Sequence, residues 1–217
     1  MLRAALFDMD RTLVRKETAS LYVRYLMARG QATPRDLARV FRWVVQYTFG
    51  VLDHEAAASR ALATLAGTAE TVLAARCDDW VRGWVMPLVG DRARRVVDEH
   101  RAAGRTLAIV TGASPYAAWP VARALGIGAV VASELEMDGR GVFTGRFVPP
   151  LCIGEGKVAR AQRFADAAGF RLDEAIFYSD SLTDLPLLER VAQPVAVNPD
   201  PRLRRIARER RWPIEHW

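Results

Sequence analysis

Along the chain, short apolar runs alternate with longer stretches in which apolar residues recur every three or four positions. The runs cover residues 4–7, 106–110, 129–132, 175–178 and 195–197. They are almost free of charge, the pattern of a strand buried on both faces. Ala-, Arg- and Leu-rich stretches of helical spacing separate them. Strands alternating with helices predict a parallel sheet with helices on both faces, a doubly wound, Rossmann-like α/β core. Gly104 and Gly169 stand where a helix would end and the next buried strand begin.

Between Val14 and about Asp91 the alternation stops. Helical spacing covers residues 20–29, 34–47, 54–65 and 69–85, punctuated by Gly30, Gly50, Gly67 and Pro87. The expected organisation is a core of residues 1–14 plus 88–217 with an inserted α-helical cap domain, residues 15–87. A second excursion covers residues 133–150. There 137–141, Met-Asp-Gly-Arg-Gly, separates two strand-like segments and predicts a β-hairpin near the site entrance.

Composition narrows the class. At 217 residues and 51% hydrophobic content, the chain can bury a substantial core. The net charge of +6 admits a nucleic acid, a membrane surface or an anionic small substrate. Basic residues are scattered apart from a run at 202–211, and aromatic–basic interleaving is lacking, so no nucleic-acid partner is expected. No apolar run reaches the ~18 residues of a membrane span, and Leu6-Phe7 meets Asp8 at once, unlike a secretory signal. The two cysteines, Cys77 and Cys152, lack metal-type spacing and read as packed, reduced thiols. A cytoplasmic location is the expectation.

The chemistry gathers at the ends of the predicted strands, where ligands bind in open α/β sheets. Asp8, Asp10 and Thr12 follow the first strand. Thr111-Gly112-Ala113-Ser114 follows the second. Lys157 opens a helix after Gly154-Glu155-Gly156. Ser179-Asp180-Ser181-Leu182-Thr183-Asp184 follows the strand at 175–178. A lone Asp-x-Asp-x-Thr reads as a turn or helix cap. Four polar clusters in this order, each after an apolar run or opening a helix, are not accounted for that way.

Together these motifs resemble the haloacid dehalogenase-like hydrolase superfamily, and the likeness spans the whole chain. Residues 180–188 and 197–201 are closest to its phosphoserine-phosphatase-like and histidinol-phosphate-phosphatase-like branch. The resemblance implies a Mg²⁺-dependent phosphatase with a helical cap. It makes Asp8 the nucleophile that forms an aspartyl-phosphate and Asp10 the general acid and base. Asp8, Asp180 and the backbone carbonyl of Asp10 become the metal ligands. A phosphomonoester carries about two negative charges near neutral pH, so a carboxylate nucleophile needs a cation beside it. Hard Mg²⁺ suits a sparse set of oxygens. Thr111 and the Gly112 N–H would hold phosphate oxygens, as would Thr183, and Lys157 would add positive charge. Asp184 would orient Lys157 or a metal-bound water.

Two residues stand apart. Glu17 matches an acid that meets a substrate amine in that branch, and equally a solvated acid opening a helix. Arg11 stands where relatives carry a small or neutral residue; it would add charge at the mouth or point to solvent. Ser179 stands where glycine is common. The aromatic stretch 40–49 packs between helices, or forms a greasy lid or membrane-surface patch. The expected partner is a small anionic phosphomonoester, with a lipid phosphate as the alternative within enzymes. A non-catalytic phospho-ligand module on the same fold is the alternative outside them. The motifs also permit phosphoryl transfer to a sugar. The run 202–211 reads as a solvated helix face that attracts phosphate at long range.

Overall fold

The computed structural model describes residues 1–48 and 53–217. Gly50 and Phe49 lie outside the described residues, as do the side chains of Val44 and Tyr47. The strands are β1 Ala4–Phe7, β2 Thr106–Val110, β3 Ala129–Val131, β4 Leu135–Met137, β5 Phe143–Phe147, β6 Ala175–Ser179, β7 Gln193–Val197 and β8 Ile214–Glu215. Six of them form one sheet in the order β3-β2-β1-β6-β7-β8. Every neighbouring pair is parallel.

Side chains of successive strand residues alternate between the faces. Phe7, Ile109, Tyr178 and Val197 enter one buried layer; Leu6, Ala108, Phe177 and Ala196 enter the other. Helices α5 (Asp91–Ala102) and α6 (Pro115–Ala124) cover the first layer with Val96, Val97, Ala118 and Val121. Helices α7 (Glu155–Ala168), α8 (Leu185–Leu188) and α9 (Pro201–Glu209) cover the second with Val158, Ala161, Leu187 and Leu203. The core is the expected doubly wound one. Strand β8 was not foreseen: its two residues carry no apolar run, and its register comes from pairing with Ala196 and Val197.

The chain enters at central β1, builds outward to β3, then returns to β6 on the other side of β1. That reversal makes the β1–β6 boundary the switch point, where a crevice opens beyond the strand ends.

The segment after β1 is helical: α1 Thr18–Ala28, α2 Pro34–Thr48, α3 His54–Leu62 and α4 Glu70–Trp80. The last expected helix, 69–85, widens to a π-type turn over Val81–Val85, where Gly83 and the following Pro87 weaken a regular ladder. Val14 bridges Val89, and the Arg15 N–H donates to Leu88 O at 3.1 Å. The chain therefore leaves and re-enters the core side by side. The β4–β5 hairpin docks on the inserted helices. Gly67 N–H donates to Phe143 O (3.0 Å), and Phe143 N–H to Thr68 O (2.9 Å). Leu73, Cys77 and Phe143 form a small buried cluster there.

Within the aromatic stretch, Val40 is buried, but Phe41 is 66% and Val45 39% exposed. No helix among the described residues is long and apolar enough to cross a membrane. Both cysteines are buried and free, and burial pushes each thiol up to about 12. His100 is a core residue: its Nε2 lies 2.7 Å from the Tyr178 hydroxyl, and burial pushes it down to about 4.

Candidate active site

Asp8 is the first residue after β1, and its N–H donates to Tyr178 O at 2.9 Å, continuing the β1–β6 ladder. Its carboxylate is buried (7% exposed). The chain then turns through Arg11, which takes a left-handed φ of 56°. Such a turn is costly for a residue with a Cβ. The Asn198 side-chain amide supports it by donating to Arg11 O at 3.2 Å. The turn returns Val14 N–H to Met9 O at 2.9 Å. Asp10, partly exposed, accepts a hydrogen bond from Thr18 N–H at the start of α1.

Lys157 reaches the same point from the first turn of α7. Gly156 makes that approach possible: a Cβ there would lie 2.1 Å from Leu151 O. Lys157 Nζ is buried and lies 2.9 Å from Asp8 Oδ1 and 2.7 Å from the Asp184 carboxylate. Asp184, also buried, accepts the Ser179 hydroxyl hydrogen at 2.7 Å. Ser179 Oγ accepts from Ser181 N–H at 3.2 Å. A glycine at 179 could make neither bond, so this serine steadies the Asp180 loop.

The remaining predicted residues fall around this centre. Thr111 is buried at the end of β2. Its Oγ1 accepts from Ala113 N–H at 3.1 Å, leaving the hydroxyl hydrogen to donate. Gly112 is exposed, and a Cβ there would meet Ile153 Cγ1 at 3.0 Å. Thr183 is half-buried, with Oγ1 3.0 Å from Ser181 Oγ. Arg11 does not point away: its Nε lies 3.3 Å from Asp180 Oδ2 and its guanidinium 3.7 Å from Glu17. Glu17 is thus tied to Arg11 at the foot of α1.

The electrostatics follow from burial. Dehydration raises Asp8 to about 7, with Lys157 pulling the other way and Asp184 and Asp10 adding repulsion. Burial lifts Asp10 to about 6 against the Thr18 hydrogen bonds. Asp180 is held well above the carboxylate range by burial and then by Asp8. Four carboxylates share one lysine and one arginine, a donor set of hard oxygens short of positive charge. A small divalent cation fits that deficit. Among the described residues, no group of three or more His, Cys, Asp or Glu is arranged around a metal position, so a backbone oxygen would have to complete the set.

Sequence reasoning missed two supports. Asp200 Oδ2 accepts from Leu182 N–H at 2.8 Å and pins the Asp180 loop to α9; an Asp before Pro201 signals the helix start but not this second bond. Arg160 is buried and holds Val148 O and Pro150 O at 2.7 Å each, fixing the loop that leads to Lys157. Nothing local distinguishes it from the other helical arginines.

The haloacid dehalogenase-like hydrolase family model matches residues 5–189. The chain belongs to this family. It is 30% identical to the histidinol-phosphatase of Neisseria meningitidis serogroup C over 218 residues, 99% of this chain and 98% of that one. It is 35% identical to the phosphoserine phosphatase SerB1 of Mycobacterium tuberculosis over 219 residues, 97% of this chain and 70% of that one. A solved protein of unknown function from Bordetella pertussis superposes with a TM-score of 0.89 at 34% identity, covering 99% and 98% of the two chains. A substrate-bound phosphoserine phosphatase shares the fold at a TM-score of 0.71 and 18% identity, covering 100% and 93%.

Proposed function

We propose that this chain is a Mg²⁺-dependent phosphomonoesterase acting through an aspartyl-phosphate on Asp8. Its substrate is a small phosphorylated metabolite of the phosphoserine or histidinol-phosphate kind. The observation that carries the reading is the buried Lys157 between Asp8 and Asp184 at the switch point of the sheet. Family membership and the phosphatase names of two relatives place the reaction class.

Lys157 holds Asp8 Oδ1, leaving the other oxygen to attack phosphorus. The bond from phosphorus to the leaving oxygen breaks as Asp10 gives that oxygen its proton. Asp10, raised toward neutrality, then takes a proton from the water that attacks the phosphoryl group. The Asp8–phosphorus bond breaks and phosphate leaves. Thr111 and the Gly112 N–H would hold non-bridging oxygens, with Thr183 beside them. Asp8, Asp180 and the Asp10 carbonyl would hold Mg²⁺, which would draw off phosphate charge. Asp184 keeps Lys157 aimed. Residues 15–87 form the cap that closes over the substrate, and Glu17 would meet a substrate amine once released from Arg11. Two buried free thiols suit a reducing, cytoplasmic setting.

The test is phosphate release from p-nitrophenyl phosphate, O-phosphoserine and histidinol phosphate. Release that requires Mg²⁺ and stops on chelation supports the reading; no release from the whole panel with Mg²⁺ defeats it.

A lipid phosphate is the second reading, favoured by the exposure of Phe41 and Val45. In that case Phe41→Ser/Val45→Ser loses binding to anionic vesicles. Hydrolysis of p-nitrophenyl phosphate, a soluble substrate, stays within about twofold, the scale of an ordinary surface substitution. Equal vesicle binding by both proteins removes this reading.

A further inference from the structure

The arginine run at 202–211 is largely the solvated face expected of it: Arg202, Arg205, Arg208, Arg210 and Arg211 are exposed and Arg204 is half-buried. Helix α9 turns Leu203 and Ala207 into the core. Arg204, Arg205 and Arg208 lie together on another face. With Arg11, Asp200 and Glu209 they line a cavity of about 460 Å³. Three guanidinium groups of α9 therefore meet two carboxylates, and a fourth, that of Arg11, already faces Asp180 and Glu17.

Those carboxylates are already engaged. Asp200 Oδ1 accepts from Arg202 N–H at 2.8 Å and Leu203 N–H at 2.9 Å, and its Oδ2 accepts from Leu182 N–H at 2.8 Å. Glu209 lies 3.7 Å from Arg205. Arg204 and Arg208 make no ion pair among the described residues, and Arg204 Nε is shut off from solvent with no acceptor. Nε itself is out of reach of a ligand in the open cavity; what the cavity offers is the uncompensated charge of the Arg204 and Arg208 guanidinium groups, whose mutual repulsion an anion between them would relieve. The planar fork of arginine matches the oxygens of a phosphate group.

The cavity is also tied to the carboxylate site. Asp200 N–H donates to Asp180 O at 2.8 Å, and Arg11 lines the cavity while its Nε lies 3.3 Å from Asp180.

We propose that this cavity binds a phosphate-type oxyanion, separate from the phosphoryl group at Asp8, with Arg204 and Arg208 as principal ligands and Arg11 shared between the two sites. The oxyanion is either free phosphate or a second phosphate group on the substrate. Binding itself does not depend on the phosphatase reading; only the choice between those sources does.

Two measurements test it. Crystals soaked in sodium tungstate locate the anion directly: anomalous density is expected in the cavity of the wild type and absent from Arg204→Gln/Arg208→Gln. In solution, titration with inorganic phosphate should show binding weakened by ~10-fold or more in that variant, the loss expected for charge-assisted bonds. Circular dichroism checks that the variant is folded. Density only beside Lys157, or equal phosphate affinity in both proteins, overturns the proposal. If turnover is observed, the source follows. A rise of ~10-fold in KM for a sugar bisphosphate, with KM for p-nitrophenyl phosphate unchanged, identifies a substrate phosphate. Unchanged KM for both substrates, alongside lost phosphate binding, identifies free phosphate.

Discussion

The carboxyl edge of the sheet and the inserted helices handle their side chains in opposite ways. At the sheet edge, Asp8, Asp180, Asp184 and Lys157 are buried, and Lys157 lies within hydrogen-bond reach of both Asp8 and Asp184. In the insertion, α3 buries no residue and α2 leaves Phe41 and Val45 exposed. The sheet edge concentrates charge that something must neutralise, and the helices present surface that something can cover. The proposed function puts its chemistry in the first region and gives the second the role of covering the substrate.

The largest effect should come from the sheet edge. Asp8→Asn is expected to lower phosphate release by at least ~10³-fold, because it removes the proposed nucleophile. Removing a support should cost less. Asp184→Asn frees Lys157 and is expected to lower kcat by ~10–100-fold. Ser179→Ala, which removes one hydrogen bond to Asp184, should lower it by ~5-fold. Full activity in either of these two variants would break the link from Ser179 through Asp184 to Lys157.

Acidity sharpens the same contrast. Without metal, folded Asp8 and Asp10 keep their protons up to about 7 and about 6, whereas their ordinary value is 3.8. The folded state binds more protons in that window, so metal-free stability should fall as pH rises from about 4 to about 7. Thermal melts should show Tm dropping by several degrees over that range. They should also show Mg²⁺ restoring more of it at pH 8 than at pH 5. A flat Tm would contradict the buried, mutually repelling carboxylates.

The smallest effect belongs to the insertion. Glu17→Gln is expected to raise KM for an amine-bearing phosphate by ~5-fold, the scale of a partly exposed charge pair, and to leave KM for p-nitrophenyl phosphate unchanged. An equal shift for both substrates would make Glu17 a general electrostatic feature.

The sequence showed the sheet edge more clearly than the helices. Five of the six sheet strands were legible because burial on both faces leaves an unbroken apolar run. β8 was not, since two residues carry no period. The acids and Lys157 were legible because each follows a strand or opens a helix. Their supports were not: the bond from Ser179 to Asp184, and that from Asp200 to Leu182, depend on how loops meet in space. Arg11 shows the same limit. Its pairing with Asp180 joins residues far apart in the chain, and its left-handed backbone is unusual for arginine.

The claim that Asp8 carries the phosphoryl group has a direct test. A radiolabelled phosphomonoester that the enzyme turns over is mixed with enzyme and Mg²⁺ and quenched in acid within the first turnover. The account predicts label on the protein, sensitive to hydroxylamine as an acyl phosphate, mapped to the peptide containing Asp8 and missing from Asp8→Asn. Rapid turnover with no labelled protein at any quench time, or label that persists in Asp8→Asn, would contradict it.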